Sequence, residues 1–473
     1  MKVPRQIPLI LGNEACERFS YYGMRSVLAT YLTTAATIAA AGTVVGDGVR
    51  EFPGLGMSRD AATIIGHAFI FGCYITGVLG GWIADRFWGR YKTILRISLL
   101  YCLGHGVLAL SDLSESVNYK TGCLLTGLVL IALGAGGIKP CVSSFMGDQF
   151  VGGGGRLLER AYAAFYWCIN LGAVFAFLII PWVRDHHGYG IAFAIPGIFM
   201  AVATFVLWLG RHRYIHAPLA TGPGFWQILL YALLKKDRVP GEGFWDAARR
   251  RFGEEKTGEI IATLQAVRLF LFIPPFWALY DQSSTTWVMQ GKQMVAIKTG
   301  IAGIVIGPDQ MQAANPALIM VLVPLLTLLL YPVMGKLAAP LRRIGLGMAL
   351  AAVSFAIVGW LQTRIEAGEA LSLAWQLAPY LVLITAEVLV STTGLELSYT
   401  LAPKSMKSTV GSFWLLTVAA GQLIVMAVTH LGGNDGATGN SVTSGRFFFY
   451  ALLLAATAAI YAVAMRFFRT RPE

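Results

Sequence analysis

Four charged residues stand close together in an otherwise apolar stretch near the start of the chain. The segment reads NEACERFSYYGMR, residues 13–25, inside an apolar run from about 7 to 41. In an α-helix, Glu14, Glu17, Arg18, Tyr21 and Arg25 share one face, because they are spaced three or four residues apart. An acid and a base one turn apart can pair, and a proton that neutralises the acid frees the base for another anion. The spacing therefore predicts a site that links proton binding to anion binding.

The composition indicates that the elements positioning these charges are transmembrane helices. Of 473 residues, 56% are hydrophobic and 13% are charged, whereas soluble domains carry about 25% charged residues. A charge at the bilayer centre costs roughly 3 kcal/mol, so the charged face is expected to look into a polar cavity. The alternative is a static buried ion network that only fixes helix packing.

Apolar segments long enough to cross a bilayer recur along the chain and predict an all-α membrane protein with twelve transmembrane helices. Basic residues concentrate in alternate loops, which places both termini in the cytoplasm. The longest polar break divides the chain into a six-helix bundle (1–210), a cytoplasmic connector (211–259) and a second six-helix bundle (260–473). This arrangement resembles the major facilitator fold. The predicted spans lie near 8–41, 62–84, 93–112, 121–146, 160–182, 190–210, 260–290, 312–335, 344–363, 374–401, 408–430 and 447–467.

The remaining features argue against other classes of protein. The net charge is +12, and the basic residues fall between the apolar segments. This positive-inside pattern is typical of membrane proteins and suits anionic lipid. No nucleic-acid motif is present. The six cysteines fall in or beside apolar segments without a CxxC pair, so we expect neither disulfides nor a metal site. The chain has no HExxH, GxSxG or Cys/His cluster, so we do not expect an enzyme. The first helix is expected to remain and act as its own insertion signal.

Further polar residues fall inside other predicted spans. Lys139 lies in the fourth span, where snorkelling to the cytoplasmic surface is the alternative. Asp281 lies in the seventh span and Glu396 in the tenth. Glu387 precedes Glu396 by nine residues and faces another direction, as a packing or supporting acid. His67 could titrate near neutral pH, although a lone histidine is more often structural.

Together these side chains would form a cavity with acids, bases and aromatic walls. Such a dipolar cavity suits a zwitterion, with a carboxylate at one end and an ammonium group at the other. Tyr280 and Ser398, which flank the two acids of the second half, are taken as substrate-binding positions as well.

The loop between the second and third spans carries a motif of its own. It reads GGWIADRFWGRYKTI, residues 80–94, and fits the major facilitator signature GxxxDRxGRRK apart from one inserted residue and Tyr91. Asp85 can stabilise a neighbouring helix N-terminus, and the basic cluster that includes Arg86 can bind acids on facing helices. We expect the loop to latch the two halves on the cytoplasmic side.

These motifs jointly resemble the proton-dependent oligopeptide transporter (POT/PTR) family of the major facilitator superfamily. Residues 14–23 match its ExxERFxYYG motif, residues 80–104 resemble its first signature, and residues 162–173 resemble its second, FYxxIN. GIKP, FWALxDQ and GLExSY, at residues 137–140, 276–282 and 394–399, extend the similarity into both halves.

The resemblance implies import of di- and tripeptides together with protons, by a multi-pass protein of the cell membrane. The proton gradient drives such a transporter without a cofactor or metal, and a monomer is expected. Glu14 and Glu17 would handle the proton, with Arg18 as their partner and as a ligand of the peptide carboxylate. Lys139 would be the second carboxylate ligand, and Glu396 would receive the peptide amino terminus.

The resemblance also assigns gates and a lining. Lys139 and Glu396 would pair across the cytoplasmic gate, and Arg25 and Asp281 would form the extracellular gate. His67 matches a histidine of the animal and some bacterial members. The pocket-lining positions are Tyr21, Tyr22, Tyr166, Asn170, Trp277, Asn315 and Trp414.

The chain departs from the family pattern at three points. It has neither the two extra helices of many bacterial members nor the extracellular domain of animal members, and Tyr280 stands where some members carry a second acid. The proton stoichiometry is therefore open.

The alternative function is proton-coupled transport of a non-peptide anion or amphiphile, such as nitrate, because ExxER persists in such relatives. The combination of Lys139 and Glu396 favours a zwitterion.

Overall fold

The protein is built almost entirely from α-helices. The structure, a computed structural model, describes residues 4–38, 42–45, 49–150, 155–219, 222–234, 237, 239, 241–299, 305–335, 339–400, 407–432 and 440–465. The helices are α1 Ile7–Thr33, α2 Arg59–Ile83, α3 Arg90–Ala109, α4 Val117–Asp148, α5 Gly155–Leu209, α6 Phe225–Leu233, α7 Asp246–Phe252, α8 Glu254–Val267, α9 Pro274–Tyr280, α10 Thr286–Gly291, α11 Pro308–Met311, α12 Ala314–Leu325, α13 Tyr331–Val333, α14 Pro340–Glu366, α15 Leu377–Thr400, α16 Lys407–Gly432 and α17 Ser444–Ala464.

Short irregular elements and two small hairpins complete the described part. Strand β1 (Thr43–Val45) pairs antiparallel with β2 (Val49–Glu51), and β3 (Ile297–Lys298) with β4 (Val305–Ile306). The π-helical turns are Ala84–Trp88 and Leu326–Leu330, and the 3-10 turns are Leu110–Leu113, Arg268–Phe272, Asp281–Ser284 and Leu373–Gln376. Below, "first half" denotes α1–α5, "second half" denotes α8–α17, and "outer end" denotes the end of the bundle where α1 ends at Thr33.

The helices confirm the predicted class of an all-α membrane protein. Within the described residues, nine helices are long and apolar enough to cross a membrane, or ten if the bent pair 254–272 and 274–291 counts as one. Helix α5 has 55 residues and would be about 80 Å long if straight, but its backbone leaves the helical region at Gly188 (φ 83°, ψ 178°) and so forms two spans. Helix α1, with its charged face, adds another. The exact number of twelve and the position of the termini stay predictions.

Helix α1 is shorter than the sequence predicts. The apolar run to residue 41 suggested a long first span, but the helix ends at Thr33. The returning chain satisfies the carbonyl groups of its last turn: Leu55 N–H donates to Tyr31 O at 2.9 Å and Met57 N–H to Leu32 O at 2.8 Å. These bonds replace helix continuation, because terminal carbonyl groups need donors from outside the helix.

The predicted seventh span is broken rather than continuous. Pro274 and Pro275 open α9, and the helix axis bends by 43° between Phe272 and Pro274. Proline lacks an N–H donor and cannot continue a helix without distortion. A second break, the 3-10 turn at 281–284, brings the polar side chains of this span to the outer end.

Close contacts between α2 and α4 position the lysine of the fourth span. A Cβ at Gly80 would lie 2.3 Å from Gly137 Cα, and a Cβ at Gly136 would lie 1.9 Å from Thr76 Oγ1. Only glycine allows this approach of two helices. This close packing of α2 and α4 fixes the position of Lys139, two residues after Gly137, along α1.

The segment between the halves forms a small core of its own. Phe225 and Ile228 of α6, Ala248 of α7 and Ile260 of α8 are buried against one another. Phe413 of α16 stacks edge-on against Phe225, with 5.2 Å between ring centroids. The connector therefore packs on the second half.

Candidate functional site

The acids and the base of α1 form one buried ion triad. Arg18 Nε lies 3.0 Å from Glu14 Oε1 and 2.5 Å from Glu17 Oε2, and all three side chains are at most 8% exposed. One guanidinium group thus serves two carboxylates. A buried triad of net charge −1 becomes neutral when one carboxyl group takes a proton, which removes like-charge repulsion and frees part of the guanidinium group.

Lys139 reaches the same face of α1 through aromatic rings. Its Nζ lies 4.2 Å from the centroid of the Tyr21 ring and 4.5 Å from that of Tyr74. Cation–π contacts of this kind hold an ammonium group without neutralising it. Sequence reasoning placed Tyr21 in the site but missed Tyr74, which no motif marked.

The predicted pair between Lys139 and Glu396 is not formed between these two described residues. Glu396 Oε2 instead accepts from Arg343 Nη2 at 2.6 Å, and the Glu396 side chain is 46% exposed. Sequence reasoning counted Arg343 only as a basic loop residue and missed its contact with the site.

Arg25 and Asp281 meet at the outer end, across the two halves. Arg25 Nη2 donates to Asp281 Oδ1 at 2.8 Å and to Ser284 Oγ at 2.7 Å. Asp281 Oδ2 accepts from Gln422 Nε2 at 2.6 Å. The pair is therefore part of a buried polar network that includes two residues the sequence did not mark, Ser284 and Gln422.

His67 belongs to this network and not to the ion triad of α1. The fully buried imidazole lies 2.6 Å from Gln422 Oε1 through Nδ1 and 3.0 Å from Thr285 Oγ1 through Nε2. Thr285 directly follows the 3-10 turn 281–284, and this turn places its hydroxyl group next to the imidazole. Its two hydrogen-bond partners, Gln422 and Thr285, both come from the second half.

A second layer of contacts across the halves lies closer to the outer end. Asp309 accepts from Arg184 and, at 2.7 Å, from Thr30 Oγ1. Lys292 Nζ donates to Thr34 Oγ1 at 3.2 Å. These contacts form a second polar layer between the halves, beyond the Arg25–Asp281 pair.

The aromatic residues of the second half pack around Trp277. Its Nε1 donates to Thr417 Oγ1 at 3.1 Å, and its ring centroid lies 6.2 Å from that of Trp414 and 5.4 Å from that of Tyr280. Asn315 Nδ2 donates to the Tyr280 hydroxyl at 3.0 Å. These residues form the wall of the candidate site that comes from the second half.

The wall of the first half is built from α1 and α5. Tyr22 packs on Phe177 with ring centroids 5.5 Å apart, and Asn170 Nδ2 donates to the Tyr166 carbonyl at 2.9 Å. The Tyr166 side chain is exposed, and the side chain of Ser398 lies outside the described part of the structure.

The loop after α2 makes its ion pairs inside the first half. Arg90 Nη1 lies 2.5 Å from Asp148 Oδ1 at the end of α4, and Arg90 Nη2 lies 3.7 Å from Asp85 Oδ1. We expected this loop to latch the two halves together. The Asp85–Arg90 pair does not do so, because Arg90 lies on α3, the next helix of the same half. The Arg86 guanidinium group lies against Gly224, where a Cβ would be 2.6 Å from Nη2.

The chain is similar to known membrane transporters in both sequence and structure. A family model described as "POT family" matches residues 91–434, and one described as "Sugar (and other) transporter" matches residues 24–149. Peptide transporter family 1 of Drosophila melanogaster is 34% identical over 385 residues, covering 77% of this chain and 48% of that protein. Solute carrier family 15 member 1 of Oryctolagus cuniculus is 34% identical over 394 residues, covering 77% and 52%. The chain spans about half the length of the curated relatives it matches.

Two crystal structures are similar over almost the whole chain. An auto-inhibited POT family peptide transporter has a TM-score of 0.82 at 35% identity, covering 99% of both chains. The POT family transporter PepTSo has a TM-score of 0.85 at 37% identity, covering 98% of both. The similarity therefore extends over both halves and the connector.

Proposed function

The chain belongs to the POT family, and we propose that it is a proton-coupled symporter that imports di- and tripeptides by alternating access. It has the major facilitator fold and is a multi-pass integral protein of the cell membrane. We further propose the division into two six-helix bundles, 1–210 and 260–473, joined by the connector 211–259.

The observation that carries the proposal is the arrangement of Arg18 between two carboxylates. With Glu14 and Glu17 both ionised, the guanidinium group lies between two carboxylates that compete with any other anion. When a proton neutralises one of them, Arg18 can bind a peptide carboxylate, and Lys139, whose ammonium group lies over the rings of Tyr21 and Tyr74, supplies the second positive charge. Proton binding and carboxylate binding thereby favour each other.

The transport cycle follows from the gates. In the state open to the outside, Lys139 and Glu396 pair and close the inner end. Proton and peptide enter together, and the peptide amino group occupies Glu396, which releases Lys139. The Arg25–Asp281 pair then closes the outer end, and the inner end opens. The closed outer layers and the separated Lys139 and Glu396 of this structure suit the inward-facing state of that cycle.

Uptake into liposomes tests the function directly. Purified protein is reconstituted, an inward proton gradient is imposed, and accumulation of labelled dialanine is followed with and without a protonophore. We expect accumulation above the external concentration that collapses with the protonophore. Folded protein that accumulates no dialanine contradicts the proposal, and a screen of non-peptide anions would then follow.

Arg343→Gln tests the proposed role of Glu396. Arg343 competes with a peptide ammonium group for the Glu396 carboxylate, and an ion pair of this partly exposed kind is worth about 1 kcal/mol. The variant should lower the KM for dialanine about fivefold with little change in maximal rate. Arg364→Gln, which removes a surface arginine paired with Glu369, is the control. An unchanged or higher KM in Arg343→Gln would exclude the competition.

A further inference from the structure

Gln422 of α16 holds two functional side chains at once. Its Nε2 donates to Asp281 Oδ2 at 2.6 Å and to Val418 O at 3.2 Å. Its Oε1 lies 2.6 Å from Nδ1 of His67, which comes from the other half. The amide is buried, and these partners take both of its N–H donors and one acceptor site of its oxygen.

The partners determine which way the amide points. A carboxylate oxygen and a backbone carbonyl only accept hydrogen bonds, so both must face the NH2 group. The opposite orientation would set the amide oxygen 2.6 Å from the buried Asp281 carboxylate, with no hydrogen between the two acceptors, which is strongly unfavourable. The oxygen of Gln422 therefore faces His67.

This orientation settles the tautomer of His67. Because Gln422 Oε1 only accepts, Nδ1 of His67 must carry a hydrogen. In the neutral imidazole Nε2 is then the acceptor, and the Thr285 hydroxyl, 3.0 Å away, donates to it. A second proton adds at Nε2 once that hydroxyl rotates towards the carbonyl of Gln282, 3.5 Å from Thr285 Oγ1.

We propose that Gln422 is a positioning residue for proton coupling: it holds His67 in the Nδ1–H tautomer, with Nε2 as the proton site, and binds it to the Arg25–Asp281 gate. The proposal rests on the proposed symport. The charged groups that face His67 are Arg25 from α1 and Asp281 from the 3-10 turn, while Thr285 and Gln422 are neutral.

The geometry links this proton to opening of the outer end. His67 lies on α2 in the first half, and its hydrogen-bond partners lie in the second half. Separation of the halves at the outer end removes both partners, so the imidazole meets different surroundings in the two states. Any such difference in proton affinity changes the balance between the states by the same factor.

Nuclear magnetic resonance of the full-length protein, labelled with ¹⁵N and ¹³C at histidine, tests the tautomer without any transport. The chain has seven histidines, and the signal of His67 is assigned by its loss in His67→Gln. We expect the Nδ1–H tautomer in the wild type and in Thr285→Val, which alters only the Nε2 side. Gln422→Leu should abolish the preference. An Nε2–H tautomer in the wild type, or a change caused by Thr285→Val alone, overturns the assignment.

The pH dependence of dialanine uptake tests the coupling. In Gln422→Leu both forms of the imidazole lose the acceptor at Nδ1, but the charged form loses the stronger hydrogen bond, so the midpoint of uptake should move to more acidic pH by about one unit. The shift should be absent when the same substitution is made in His67→Gln, because contacting residues act non-additively. Gln312→Leu, a buried glutamine at the same end that donates to Ser26 O, is the control.

The two experiments separate the inference from the function. If the wild type has the Nδ1–H tautomer but takes up no dialanine, the proposed substrate is wrong, while the proposed tautomer of His67 and its bond to Gln422 are retained. A wild type that transports, with a Gln422→Leu shift that persists without His67, refutes the role of Gln422. If Gln422→Leu does not fold, the tautomer of the wild type and of Thr285→Val still decides the placement.

Discussion

Glu17→Gln is expected to abolish uphill accumulation of dialanine while sparing exchange of labelled for unlabelled peptide. The amide mimics the protonated carboxyl group, so Arg18 stays available to the peptide carboxylate, but no proton is carried across. A membrane potential contributes about 2.3 kcal/mol per charge per 100 mV, which sustains about 50-fold accumulation for one coupled proton. The variant should therefore equilibrate peptide and accumulate none.

The comparison needs an acid outside the site. Glu366→Gln removes a carboxylate that accepts from Ser444 at the exposed end of α14, and it should accumulate peptide like the wild type. Full uphill uptake by Glu17→Gln would exclude its coupling role, and loss of exchange as well would indicate that the carboxylate is needed for folding or substrate binding instead.

Local helix geometry explains what the sequence predicted well. The face shared by Glu14, Glu17 and Arg18 follows from the period of the α-helix alone, and the structure shows those side chains in contact. The meeting of Arg25 with Asp281 was expected from the resemblance, since no local pattern joins residues 256 positions apart. Both features depend on charged residues, which stand out in an apolar chain.

Contacts that depend on conformation or on neutral side chains were not predictable. Gln422 is an uncharged residue in an apolar helix, so nothing marked it before its bonds to His67 and Asp281 were seen. In the proposed cycle the partner of Glu396 changes with the separation of the halves, and one sequence serves every state of that cycle. The breaks in the seventh span arise from Pro274 and from tertiary contacts, which override its apolar pattern.

The second large effect is expected from Asp281→Asn, which should shift the protein to the outward-open state and reduce dialanine uptake about 100-fold. Removing one partner of a buried ion pair costs about 3–5 kcal/mol, because the other charge stays buried without compensation. Here that cost falls only on the closed outer end, since Arg25 reaches water when the halves separate. A difference of this size changes the ratio of two states by at least about 100-fold.

Spin labels on exposed residues at the outer end measure this shift. Glu115 follows α3 in the first half, and Ala370 follows α14 in the second; both are replaced by labelled cysteine after removal of the six native cysteines. Asp281→Asn should lengthen the distance between the labels. The double variant with Arg25→Gln carries no unpaired charge and should recover the short distance, whatever its transport rate. A short distance in Asp281→Asn itself would mean that the other contacts between the halves, such as Arg184 with Asp309 and Arg446 with Asp60, suffice to keep the outer end closed.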